Sequence, residues 1–148
     1  MADQALLDSN QIHLKEFKII KGLINSPEKI KLKRIKGFRS EVGLDIAFNL
    51  DKHAIKVDIQ VSAYSESEEK NKEEADTFFH IAYFFEIDNM SDLVKETGNK
   101  ELEVHPYLSN AIASIAYSTT RGILLTRLQG TALRDFILPV IDPNSLIK

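Results

Sequence analysis

Two stretches near the middle of the chain alternate strictly between apolar and polar residues. From Glu41 to Leu50, the residues Val42, Leu44, Ile46, Phe48 and Leu50 fall on one side, and Glu41, Gly43, Asp45, Ala47 and Asn49 on the other. After Asp51–His53, the residues Ile55, Val57, Ile59, Val61 and Ala63 alternate with Lys56, Asp58, Gln60 and Ser62. A period of two predicts an antiparallel hairpin with one buried and one wet face. A further strand is predicted over TFFHIAYFFEI, residues 77–87. There Phe79, Ile81, Tyr83, Phe85 and Ile87 take one face, and Phe78, His80, Ala82, Phe84 and Glu86 the other. Aromatic residues on both faces predict that the wet side is partly covered at this strand. Near the N-terminus, Ile12–Ile24 is extended but irregular: Ile12 and Leu14 are out of phase with Phe17, Ile19 and Leu23. A bulge or bend near Glu16 restores the phase, and Asn25-Ser26-Pro27 ends the strand.

The period then changes. Pro106 suits a first helical turn, and the pattern predicts a helix to about Leu128 with Gly130 as its stop. At about 100° per residue, Leu108, Ala111, Ile112, Ile115, Ala116 and Ile123 form one stripe, and Ala113, Tyr117, Leu124 and Leu128 a second, nearly opposite. One stripe fits the chain's own sheet. The second is expected to meet the same helix of another subunit, with Tyr117, Leu124 and Leu128 at the interface. Beyond the helix, Pro139 and Pro143 exclude a long helix and predict an extended segment around FILPVI, with Phe136, Leu138 and Val140 on one side and Ile137 and Ile141 on the other. Residues 65–76 are predicted to be a charged loop, 88–104 irregular or partly helical, and 1–10 frayed. The expected fold class is α+β: one domain over 1–148, with a four-stranded antiparallel sheet followed by a long C-terminal helix packed on one face.

Composition narrows the chemistry. At 148 residues the chain can bury a core without metal or disulfide help, and a net charge of −3 gives no general pull toward nucleic acid or anionic lipid. The basic run KIKLKRIK, residues 29–36, is more simply a solvated loop or an edge strand guarded by lysines than a nucleic-acid contact. With no cysteine, thiolate catalysis and cysteine-based zinc sites are excluded. The four histidines (His13, His53, His80, His105) are scattered. No nucleotide-binding loop or nucleophile elbow is present. Asp45 and Asp58 sit on neighbouring strands, but on a face expected to be solvated. The N-terminus lacks the pattern of a signal peptide, and no stretch approaches a membrane span. A cytoplasmic protein without cofactor, metal or catalytic activity is expected. The surplus of apolar and aromatic surface points to an apolar partner.

The order strand, strand, strand, strand, long helix and proline-containing tail resembles the SecB family of export chaperones. EVGLDIAFNL is similar to that family's second strand, and AIKVDIQVSAYSES and ADTFFHIAYFFEI to its third and fourth. Arg121 in the long helix, Gly130–Thr131 nine residues later, and Leu138–Pro139–Val140 beyond them also resemble the family's pattern. The resemblance spans roughly residues 10–143. It implies a dimer of dimers with the long helices sandwiched between, and non-specific binding of unfolded polypeptides in apolar grooves without ATP. Three departures accompany it. The family's second helix is expected to be short or missing, its basic Cys/His tail is absent, and the fourth strand lacks an acid expected among the positions that contact the SecA motor. Motor docking is therefore expected to be weak and confined to the outward acids Glu41, Asp45 and Asp58.

The client groove is expected to combine Phe78 and Phe84 of the fourth strand with Phe136, Ile137, Leu138, Val140 and Ile141. A role for those last five in capping the core is the competing expectation. Export of many clients, protection of one antitoxin, and a fixed adaptor role all remain open, and a small-molecule cavity between sheet and helix is the reading furthest from these.

Overall fold

The computed structural model describes residues 7–29, 31–68 and 73–147. Four strands form one antiparallel sheet: β1 (Ile12–Asn25), β2 (Ile35–Asn49), β3 (Ala54–Ser67) and β4 (Glu73–Ile87). Their order is β1-β4-β3-β2, so β1 and β2 are the edges. A single-turn helix α1 (Met90–Leu93) leads into a small hairpin, β5 (Val94–Glu96) with β6 (Leu102–Val104). The long helix α2 (Pro106–Arg127) follows and lies on the inner face of the sheet over β3. This is the expected α+β architecture.

The hairpin forms as its alternation dictates. Leu44 pairs with Ile59, and Asp45 with Asp58, so apolar residues share the inner face and charged ones the outer. Val57, Ile59 and Val61 of β3 and Ile81, Tyr83 and Ile87 of β4 are wholly buried beneath α2 and its neighbours. Each such side chain contributes roughly 1.5–3 kcal/mol by leaving water. The strands run further than the polar sequence suggests. Ser65 and Ser67 continue the inner-face alternation of β3 and are buried. At the irregularity beside Ser65, its Oγ accepts from the amide of Ala75 at 2.8 Å, replacing a ladder bond. Much of the expected charged loop 65–76 is therefore strand. The expected fraying over residues 1–10 falls largely outside the described residues; Ser9–Gln11 form a 3-10 turn capped by the Asp8 carboxylate.

β1 carries two irregularities, between Leu14 and Glu16 and between Ile19 and Lys21. The first is the bulge the sequence requires. Together they leave Leu14, Phe17, Ile19 and Ile24 opposite the inward residues of β4.

The helix begins at Pro106, with the His105 ring nitrogen Nδ1 accepting from the Tyr107 amide. Its two apolar stripes are not opposed surfaces. Thr120 lies between them and is buried, as are Ala116 and Ala113 at their adjoining edges, so Leu108, Ile112, Tyr117 and Leu124 belong to one broad inward arc. Small residues at the centre of that arc let the helix settle close to the sheet. There the Thr120 hydroxyl donates to the Ala116 carbonyl at 2.8 Å, so the Tyr83 hydroxyl, 2.7 Å away, donates to Thr120. Burial pushes the Tyr83 pKa up, and the bond to Thr120 offsets part of that rise.

At Gly130, with φ of 79°, the chain reverses in a conformation that favours glycine. It then returns along α2 as an extended strap, residues 136–142, and ends in a 3-10 turn, Pro143–Leu146.

Candidate functional site

The inner face of the sheet is covered unequally. α2 lies over β3, and the strap reaches β2, where the Phe136 ring meets Phe38 edge-on at 5.8 Å. β1 is left open. Leu14 and Phe17 are 42% and 48% exposed, and Ile24 is also exposed, although all three face inward. Phe17 stacks on Tyr83 with ring centres 6.2 Å apart. Further along β1, a hollow of ≈ 370 Å³ is lined by Ile19, Gly22, Ile24, Phe79 and Arg127.

The side of α2 turned away from the sheet carries Ala111, Ser114, Ile115, Ser118 and Gly122, all partly or fully exposed. Between Pro106 and Arg127 the helix contains one charged residue, Arg121. An exposed helical face normally carries charges; this one is small and nearly uncharged.

Tyr117, Leu124 and Leu128, expected at a subunit interface, are instead 1%, 1% and 0% exposed within the single chain. Of the three, Tyr117 meets the returning strap. The Tyr117 hydroxyl donates to the Pro139 carbonyl at 2.6 Å, and Arg121 Nη2 approaches the same oxygen at 3.5 Å. The Arg121 guanidinium lies over the Tyr117 ring, 5.5 Å from its centre. Burial raises the Tyr117 pKa, while the positive charge of Arg121 and its hydrogen bond pull it back.

The residues expected to line one client groove are divided between two faces. Phe78 and Phe84 lie on the outer face of β4, because their neighbours Phe79 and Phe85 point into the core. Phe136 and Leu138 belong to the inner face and are 5% and 1% exposed, while Ile141 packs partly against the core. Only Ile137 and Val140, at 58% and 87% exposure, stand clear of the strap. The sheet thus separates the two sets. The half-buried state of the outer phenylalanines has a local cause. Lys18 and Lys56 place their ammonium groups 5.5 and 6.0 Å from the Phe84 ring centre, and Lys21 sits 5.8 Å from that of Phe78. Their aliphatic stems shield the rings.

Glu41, Asp45 and Asp58 share this outer face. Asp58 meets His80 Nε2 at 2.8 Å and Lys56 at 3.6 Å; Asp45 lies directly across the β2–β3 ladder from it. The pair sits on an open face. Among the described residues no group of histidine and acidic side chains is placed to hold a metal ion, and no helix is long and apolar enough to cross a membrane. Sequence reasoning missed the open inner face of β1, because exposure at a sheet edge depends on where the helix lies.

No protein-family model and no curated protein sequence matches the chain. Among solved structures, the chain is similar to the Mycobacterium tuberculosis SecB-like chaperone Rv1957, determined in complex with a ChAD peptide from the HigA1 antitoxin. The match has a TM-score of 0.60 at 14% identity, covering 95% of this chain and 97% of that one. At that identity the likeness lies in the backbone, and it extends over the sheet, the long helix and the returning tail alike: the chain has the SecB-like chaperone fold.

Proposed function

We propose that this protein is an ATP-independent holdase that keeps unfolded polypeptides soluble by covering their apolar segments. The observation that carries this reading is the apolar surface left open by a chain with a well-filled core, at Leu14, Phe17 and Ile24 on β1 and at Ile137 and Val140 on the strap. Single exposed apolar residues are ordinary, but clusters of large ones mark binding surfaces. The client site in this reading lies on the strap side, where Ile137, Val140 and Ile141 are accessible and Phe136 and Leu138 lie just beneath. Phe78 and Phe84, capped by lysines on the opposite face, would add a separate and weaker contact.

Self-association belongs to the same proposal. The small, nearly uncharged outward face of α2 fits a second copy of the helix, and the open inner face of β1 adjoins it. A dimer of dimers with the helices sandwiched would bury both, replacing the interface expected from Tyr117, Leu124 and Leu128. Any contact with the SecA motor would use Glu41, Asp45 and Asp58 and weaken with salt, because exposed charges are screened.

The test is suppression of aggregation. Several unrelated proteins, diluted from denaturant, should remain soluble with a stoichiometric amount of this protein and no ATP. Failure with all of them would sink the holdase reading. Protection of a single antitoxin is the second reading, favoured by the antitoxin peptide bound to the structural neighbour. Activity toward one partner and none toward the panel would select it.

A further inference from the structure

The strap has the chemistry of the clients proposed above. Its residues alternate: Phe136 and Leu138 turn inward and are buried, while Ile137 and Val140 turn outward and are exposed. Its backbone is extended and, among the described residues, makes no backbone–backbone bond between the Phe136 amide and the Asp142 carbonyl. The polar hold on this stretch is one carbonyl, that of Pro139, gripped by Tyr117 and Arg121. That grip leaves a defect. Arg121 Nε is buried with no hydrogen-bond partner, which is costly for a cationic donor. At both ends the strap is pinned by side chains. Ser26 Oγ accepts from the Ala132 amide at 3.0 Å, and Asn144 Nδ2 donates to Asn110 Oδ1 at 3.1 Å. Such a segment can lift away without breaking a backbone ladder, and the cost is the exposure of Phe136 and Leu138, which a client's own apolar side chains in the vacated slot would offset.

We propose that the strap is an internal stand-in for a client. It occupies a slot between α2 and the inner face of β2, and a client displaces it. The slot takes an extended peptide carrying an aromatic and a branched aliphatic residue two positions apart, the spacing of Phe136 and Leu138. The aromatic ring replaces Phe136 against Phe38, and a client carbonyl takes over the donors of Tyr117 and Arg121. An acceptor placed between those donors can also reach Arg121 Nε, which the strap leaves unpaired. This inference rests on the holdase reading but moves the client from the strap's exposed side, at Ile137, Val140 and Ile141, into the slot beneath the strap, and it names the client's pattern and its competitor. A tethered competitor lowers apparent affinity by the fraction of time it leaves the slot empty.

The competition predicts a sign. Phe136→Ala weakens the strap and leaves the slot intact, so the variant should bind carboxymethylated α-lactalbumin, a permanently unfolded chain, about fivefold or more tighter than wild type. If Phe136 instead lines the site, the same change weakens binding. A second variant avoids emptying the core. The chain has no cysteine, so Asn110→Cys with Asn144→Cys introduces two facing thiols that a short bismaleimide with an internal disulfide can join, clamping the strap's downstream end. Crosslinking should lower client affinity about tenfold or more, and reductant, by cleaving the linker, should restore it. Clamped and reduced forms that bind equally well would overturn the strap proposal and leave the holdase reading standing. Absence of binding by wild type and both variants would overturn the holdase reading, and the strap proposal with it.

Discussion

Gly122 lies in the C-terminal third of α2 on the side turned from the sheet, and, its chain neighbours and its own helix backbone aside, no atom among the described residues comes within 4 Å of the position its Cβ would take. Within one subunit, a glycine there is only a cost. Replacing it with alanine should stabilise the protomer by about 0.8–1 kcal/mol through helix propensity, which for a chain of this size raises Tm by about 2–4 °C. If the bare backbone is there so that a second helix can approach, the same methyl group should weaken assembly, since the axial separation of packed helices follows the side chains at the crossing. Gly122→Leu should split the assembly outright. The two effects separate by concentration. Sedimentation velocity from micromolar upward reads the assembly, and unfolding well below the dissociation concentration reads the protomer alone. Gly22→Ala is the control. A Cβ there would stand 2.9 Å from Phe79 Cε1, and that ring is 4% exposed. Overpacking should cost the protomer about 1–3 kcal/mol, opposite in sign to the effect of Gly122→Ala. A Gly122→Leu variant that sediments as wild type does would refute this account of α2's outer face.

Other expectations follow from the same geometry. Thr120→Val should cost about 1–3 kcal/mol, because it strands the buried Tyr83 hydroxyl. Tyr83→Phe should cost less, since Thr120 keeps its bond to the Ala116 carbonyl, and the double variant should cost less than the sum; additive losses in urea unfolding would disprove the directed chain of bonds. Both Tyr83 and Tyr117 have pKa values raised above the usual tyrosine range by burial. Their unfolded forms therefore release protons first, so stability is intact below about pH 10 and falls as pH climbs toward the folded-state values. A Tm unchanged between pH 9 and 11 would contradict this. Phe17→Glu, at a half-exposed position, should change protomer stability by less than about 1 kcal/mol yet abolish association through the open face of β1, as light scattering would show.

Much of the fold was legible because alternation is a strong signal. The β2–β3 hairpin, the two-sided β4 and the bulge before Glu16 all follow from which residues repeat at period two. What the sequence could not convey was occupancy. Tyr117, Leu124 and Leu128 are spaced as an apolar face whether a second subunit or the chain's own tail covers them. Only the turn at Gly130 decides it. Likewise Phe78 and Phe136 are both apolar and near proposed grooves, but strand parity puts Phe78 outside the sheet, while the returning strap carries Phe136 to the inner face. Ser65 and Ser67 look like loop residues by type. They are strand residues by position, since a hydroxyl that bonds the neighbouring strand is acceptable in the core.

The two irregularities of β1 have a consequence for the protein's own safety. They cut a 14-residue edge strand into paired runs 12–14, 16–19 and 21–25, of three, four and five residues. Stacking into amyloid needs a flat, in-register segment of six or seven residues, and none of these runs is that long. Lys15 stands in the first interruption, and Lys18 and Lys21 follow at intervals of three. An edge rich in leucine, isoleucine and phenylalanine is thereby kept from templating its own fibre. If the proposed holdase role holds, this margin matters twice over, because unfolded chains would be held beside it at high local concentration.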